Sequence, residues 1–316
     1  MSRNNKIIEF DTPEGKIILP FIEIIGKNGD GPTALITAGI HGCEYPGIAA
    51  LMDLASQIDD NELRGRLQFV TIANLESFER RTMFKCPVDN KNPNRVFPGN
   101  AEGTFTDRLV FSLMKIIGEA DYYLDLHSGD MVEELSPFAL YHRGNNSEIE
   151  ATALAMAKAY GLPNIATSTT AGQWPDEGTT YANAANTFNI PALIVEAGGV
   201  GQLEEKYVEM HKNGILNVFK LMDNINGVPQ MRGDCDYFSD MAWIYTTEKG
   251  FFRNKINVGS EISQNEYMGT LYNYFGEEIE KIYAPTSGKI LFKTTSPAIS
   301  RNGLIAGIGI RDRSAE

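Results

Sequence analysis

Cysteine is scarce in this chain of 316 residues: three thiols, Cys43, Cys86 and Cys235, lie far apart. Their number and spacing exclude a disulfide framework and a cysteine-ligated structural zinc. Long apolar runs are missing too, and no stretch approaches the length needed to cross a bilayer, so no membrane partner is expected. The opening Met1-Ser2-Arg3-Asn4-Asn5-Lys6 leads straight into a strand-like segment without a signal-peptide core, which gives the cytoplasm as the expected location. Basic residues are outnumbered, 28 Lys and Arg against 41 Asp and Glu. The net charge of −13 leaves no basic surface for phosphates, which excludes general nucleic-acid binding. Any anionic substrate must then be held by local arginines.

What is present is an ordinary folded composition, 42% hydrophobic and 22% charged. From Lys16 to about Asn226, apolar runs alternate with amphipathic helical ones. Strands are expected at Lys16 to Ile24, Thr33 to Ile40, Leu67 to Ala73, Tyr122 to Leu126, Phe138 to His142 and Ala192 to Val195. Helical spacing runs through Gly47 to Ile58, Phe105 to Glu119, Glu148 to Tyr160 and Glu204 to Ile225. Continuously apolar strands such as Ala192-Leu193-Ile194-Val195 predict an α/β fold, its mostly parallel sheet covered by helices on both faces. Beyond Gly227-Val228-Pro229 the pattern changes to short strands separated by Gly, Asn and Pro, which predicts a small all-β module. The expected domains are 1–231 and 232–316.

His41 and Glu44 stand where the strand from Thr33 ends and a helical pattern begins, and His127 ends the strand from Tyr122. Imidazole and carboxylate are ligands that zinc prefers, and three of them leave the fourth position that hydrolysis needs. The His-x-x-Glu spacing alone arises by chance in roughly one chain in three of this length, and a solvated ion pair at a helix start gives it equally. Position strengthens the metal reading, since open α/β sheets collect ligands at the C-terminal ends of their strands. Cys43, between the first two ligands, reads as a buried structural thiol.

Glu196 also ends a strand, followed by Ala197-Gly198-Gly199, and is a candidate general base; a capping or paired glutamate is the alternative. Asn94 and Arg95 lie in a long loop beginning after Leu75, where a guanidinium fork can take a carboxylate; a surface arginine is the alternative. Arg80 and Arg81 are candidates for a cation near the developing oxyanion. The segment Ala171 to Tyr181 is either a pocket wall or a plain turn. Asp125 shares a strand face with His127, although supporting that ring would require the backbone to turn between them. His142 closes a strand near the pocket and is kept as a substrate contact, while His211 reads as a surface or helix-packing residue.

Together, His41-Gly42-Cys43-Glu44, Asn94-Arg95-Val96-Phe97-Pro98-Gly99, Asp125-Leu126-His127-Ser128-Gly129 and Glu196-Ala197-Gly198-Gly199 resemble, in order, the motifs of the succinylglutamate desuccinylase/aspartoacylase family of zinc carboxypeptidase-like enzymes. The resemblance implies His41, Glu44 and His127 as ligands of one zinc ion per chain, Glu196 as the base, and Asn94 and Arg95 as carboxylate holders. It also implies an arginine in the segment Arg80 to Phe84, where Met83 occupies one such position and Arg81 is the candidate two residues earlier. The C-terminal module resembles a barrel-sandwich hybrid of carrier domains, especially at Ile282 to Ile290. The stretch Tyr274 to Glu280 lacks the lysine that carries a swinging cofactor, so a pocket-covering or dimerising role is expected instead.

The expected activity is hydrolysis of an N-acyl amino acid, N-acetyl or N-succinyl, as the small-molecule partner. A zinc carboxypeptidase acting on small peptides and a non-catalytic binding protein on the same fold are the alternatives. Asp176 and Glu177 would favour a cationic side chain, as in a diaminobutyrate derivative. Metal identity beyond a zinc preference, the acyl group and a homo-oligomeric state stay open.

Overall fold

Side chains that are apolar on both faces of a strand need cover on both sides, and that requirement organises the molecule. The computed structural model describes residues 3–144, 146–168 and 177–312. The chain begins with β1 (Arg3–Thr12), β2 (Gly15–Ile25), β3 (Thr33–Ala38), α1 (Tyr45–Gln57), β4 (Arg66–Val70), α2 (Leu75–Arg80), α3 (Phe105–Ile117) and β5 (Tyr122–His127). It continues through β6 (Glu133–Leu135), β7 (Phe138–His142), α4 (Ser147–Tyr160), β8 (Asn164–Ser168), α5 (Thr180–Phe188), β9 (Ala192–Glu196) and α6 (Glu205–Leu221). The rest is strand: β10 (Asp236–Tyr245), β11 (Gly250–Asn254), β12 (Glu261–Ile262), β13 (Tyr267–Tyr272), β14 (Glu278–Tyr283), β15 (Gly288–Thr294), β16 (Ala298–Ile299) and β17 (Leu304–Arg311).

One large sheet runs in the order β1-β2-β4-β3-β5-β9-β7-β8-β10-β17-β15-β12, with β6 also on β15. Its runs β4-β3-β5-β9 and β7-β8-β10 are parallel, but β9 and β7 are antiparallel, as are the flanking pairs. The sheet is therefore mixed rather than mostly parallel. Continuous apolarity reports burial of both faces and is silent on strand direction. After β5 the chain returns through β6 to β7 without a crossover helix, so β7 runs opposite to β5 and β9.

Alternation along each strand divides the interior into two cores. Leu35, Tyr123 and Ile194 pack with Leu109 and Leu113 of α3 and Tyr181 and Ala184 of α5. Their sequence neighbours Ile36, Leu124 and Val195 pack on the other face with Ile48 and Leu51 of α1, Met156 of α4 and Ile215 and Val218 of α6. A capping box between Thr104 and Asp107 starts α3.

The large sheet has strands from both sides of residue 232, because Asp236 to Phe238 of β10 pair in parallel with Asn164 to Ala166 of β8. From there β10 passes on to β17 and β15, while β14-β13-β11-β16 form a second, antiparallel sheet of four strands. Ala242, Ile244, Phe252, Met268, Ile290 and Ile308 belong to the core that these strands share.

Candidate active site

Because β3, β5 and β9 are adjacent and parallel, their C-terminal ends open on one edge of the sheet. Past β3 the chain turns at Gly39, whose φ of 71° favours glycine, and reaches His41 and then Glu44 at the N-cap of α1. The last residue of β5 is His127, and it sits in register with Glu196, the last residue of β9. Two strand ends, one helix start and the turn before that helix thus deliver four functional groups.

Glu44 is the hub. Its Oε1 lies 2.8 Å from Nδ1 of His41 and its Oε2 lies 2.8 Å from Nδ1 of His127. The backbone N–H of Ser128 also donates to Oε2, at 3.2 Å. One ligand atom from each of His41, Glu44 and His127 lies within 4.8 Å of the others, and all three residues are buried. That donor set and spacing suit a divalent ion bonded at about 2 Å to each.

The other ring nitrogens are held from behind. His41 turns Nε2 to Asn92 Oδ1 at 3.0 Å, and that amide is fixed by accepting the Asn94 N–H at 2.9 Å. His127 turns Nε2 to Asp125 Oδ2 at 3.0 Å. Both rings therefore present Nδ1 toward the common centre. The Asp125 contact forms within β5 itself, so no backbone turn is needed; the imidazole is long enough to reach a same-face neighbour two residues away. Asp125 additionally accepts the hydroxyls of Thr37 at 2.6 Å and Thr180 at 2.5 Å.

Burial pushes the Glu44 carboxyl up, but His41 and His127 together outweigh it and hold its pKa at about 2. Burial disfavours the charged His127 ring, yet Asp125 and Glu44 on either side of it win and raise its pKa well above the usual imidazole value. Glu196 is raised well above the carboxylate range, chiefly by burial, against the pull of His127.

These groups face a cavity of about 380 Å³. Asn92, Asn94, Arg95 and Glu133 supply polar wall, and Leu135, Phe138, Leu140 and Ile194 supply apolar wall. Trp243, Phe292 and Leu304 come from the C-terminal strands, so that part of the chain lines the cavity. Arg95 is exposed and donates from Nη1 to the Asn94 carbonyl at 2.7 Å, while buried Asn94 accepts the Thr180 N–H at 3.0 Å through Oδ1.

Other candidates lie elsewhere. Arg81 ends α2 in the left-handed conformation, is exposed and is not among the residues lining the cavity; Arg80 pairs with Glu76 at 2.8 Å. Its neighbour Phe84 is pinned by donating its N–H to buried Asp130 at 2.7 Å. His142 is buried against Asn186 at 3.1 Å and does not line the cavity. His211 packs α6 inside the molecule, held by the Tyr160 hydroxyl at 2.7 Å and the Ala197 carbonyl at 3.2 Å. Cys43 is buried. Of the segment Ala171 to Tyr181, positions 171–176, including Asp176, lie outside the described residues; Glu177 is exposed, and Thr179 and Tyr181 line the cavity. Sequence reasoning missed Asn92, Glu133 and the three C-terminal wall residues, which only the fold brings here. The available signal for Asn92 was its position two residues before the Asn94-Arg95 pair.

A family model described as the succinylglutamate desuccinylase/aspartoacylase catalytic domain matches residues 30–222. The chain is 28% identical over 266 residues to the N-alpha-acetyl-L-2,4-diaminobutyric acid deacetylase of Halomonas elongata, covering 82% of this chain and 75% of that protein. A succinylglutamate desuccinylase/aspartoacylase from Rhodobacter sphaeroides superposes with a TM-score of 0.84 at 26% identity, covering 98% of this chain and 95% of the other. The product-bound ectoine utilization protein EutE (DoeB) from Ruegeria pomeroyi has the same fold, with a TM-score of 0.87 at 24% identity and the same coverage of both chains.

Proposed function

The chain belongs to the succinylglutamate desuccinylase/aspartoacylase family, and from that premise we propose that it hydrolyses the amide bond of an N-acyl amino acid, with one zinc ion per chain held by His41, Glu44 and His127. The observation that carries the reading is the convergence of those three ligand atoms, within 4.8 Å of one another, on a cavity that also holds Glu196 and Arg95. Zinc there would supply Lewis-acid polarisation and acidify water.

Glu196 takes the proton of the attacking water and returns it to the leaving amine; burial gives it the raised basicity that both transfers need. Arg95 holds the substrate's carboxylate, with the Asn94 amide beside it. Arg81 is assigned the cation at the developing oxyanion, a role that requires its exposed side chain to swing to the cavity. The C-terminal residues Trp243, Phe292 and Leu304 close the cavity around a small substrate, which supports a deacylase over a peptidase. No helix among the described residues is long and apolar enough to cross a membrane, and the three free thiols suit a reducing compartment; we assign the cytoplasm.

The test is a panel of N-acetyl, N-succinyl and longer N-acyl amino acids alongside dipeptides, with metal content measured on the same sample. Turnover of an N-acyl amino acid by protein containing stoichiometric zinc is expected, with Glu196→Gln slowing it roughly 100-fold or more while retaining the metal. Zinc-loaded protein that cleaves dipeptides alone, or nothing, overturns the reading. For the oxyanion role, Arg81→Ala should lower kcat about tenfold and Arg80→Ala should not.

A further inference from the structure

The cavity wall carries an uneven charge. Among the described residues lining it, Arg95 is the one arginine or lysine, whereas Glu133 and Glu196 stand as carboxylates beside Glu44. Glu196 has a task in the reading above and Glu133 has none. The Glu133 backbone is firmly placed: its N–H donates to the Asp130 carbonyl at 2.9 Å, its carbonyl accepts the Val200 N–H at 2.8 Å, and it sits in register with Thr294 of β15. Alternation along β6 sends Glu134 away to Lys293 at 3.2 Å and leaves Glu133 and Leu135 on the cavity side.

Among the described residues the Glu133 carboxylate forms no ion pair; its hydrogen-bonding contact is the Asp130 backbone, which carries no counter-charge. Burial, with the charges of Glu44 and Asp130 adding to it, pushes its pKa up to about 8, and the Asp130 backbone hydrogen bond and the weaker pull of Arg95 do not offset them. A carboxyl group so placed lacks a counter-charge, and an arriving cation supplies one.

We propose that Glu133 is a specificity residue that receives a cationic group, so that the preferred substrate is an N-acyl amino acid whose side chain ends in an ammonium. The assignment rests on the deacylase reading above. One guanidinium suffices for one carboxylate, and a substrate bearing further carboxylates would find no second cation among the described residues of the wall. A side-chain ammonium instead forms a charge-assisted hydrogen bond in a partly desolvated site. Glu177, the exposed acid near Tyr181, offers no such enclosure.

The test compares Nα-acetyl-L-2,4-diaminobutyrate with its neutral isostere N-acetyl-L-norvaline on zinc-loaded protein. Wild type should prefer the cationic substrate about 10- to 100-fold in kcat/KM, mostly through KM. Glu133→Gln should bring that ratio close to one, chiefly by raising KM for the cationic substrate, and Glu134→Gln should match wild type. An unchanged ratio in Glu133→Gln, or equal slowing of both substrates, overturns the assignment. So does a wild type with no cationic preference, a result that does not depend on the variant folding. Calorimetry with free L-2,4-diaminobutyrate and L-norvaline needs no turnover. Glu133-dependent binding of the diamino acid by protein that hydrolyses neither substrate would sink the deacylase reading and keep this one; equal binding of both amino acids would sink this one.

Discussion

His41 and His127 do the same thing by different means. Each turns Nδ1 to the Glu44 carboxylate at 2.8 Å, but His41 is braced by a neutral amide on a loop and His127 by a buried carboxylate on its own strand. Asp125 is itself fixed by two threonine hydroxyls, from β3 and α5, so the His127 side is tied to the centre of the sheet. Asn92 is fixed by one backbone N–H of its own loop. The difference teaches that the two imidazoles are unequal: one is tied to the scaffold, and the other depends on how the segment around Asn92 settles.

The largest expected effect concerns both rings together, in metal-free protein. Glu44 has its pKa lowered from 4.5 to about 2, so its contribution to stability is present above about pH 4.5 and is lost as pH falls toward 2. His127 is raised above 6.5, so its contribution is present below about pH 6.5 and is lost as pH rises through its folded value. Metal-free protein should therefore gain most from this cluster between about pH 4.5 and 6.5, with up to about 3 kcal/mol at stake on the acid side. Denaturant unfolding across pH checks it: the acid-side dependence should vanish in Glu44→Gln, while the His127 part, raised chiefly by Asp125, should persist.

Next in size, Asp125→Asn should weaken zinc about 100-fold in a chelator competition and cost about 2 kcal/mol of stability, because the His127, Thr37 and Thr180 donors lose their anionic acceptor. Smallest, Asn92→Ala should weaken zinc about tenfold and leave the melting temperature nearly unchanged. If the two variants proved equal in both readouts, the asymmetry between the imidazoles would be geometric only.

Much of this was legible before the fold. Strand ends are where apolar runs stop, so His41, Glu44, His127 and Glu196 could be found from residue type and position alone. Their convergence follows from adjacency of β3, β5 and β9, which apolar runs suggest without fixing. The helix α5 was hidden because Thr180-Tyr181-Ala182-Asn183-Ala184-Ala185-Asn186-Thr187-Phe188 is rich in Thr and Asn, poor helix formers held here by Tyr181 and Ala184 packing into the core. β8 was hidden because Asn164-Ile165-Ala166-Thr167-Ser168 has two apolar residues and is buried by its neighbours rather than by its own pattern. Glu133 carried no local signal; it matters for what lies opposite it, and that is set by pairing with distant residues such as Thr294.

The reach of β10, β15 and β17 to the cavity divides responsibility along the gene. The residues proposed to hold the metal and move the proton fall between His41 and Glu196, while Trp243, Phe292 and Leu304 shape the wall from beyond the segment 30–222 matched by the family model. Mutation in the last third of the chain can thus remodel which molecules are accepted without disturbing the reaction. Diversification of taste and preservation of chemistry become separable evolutionary problems.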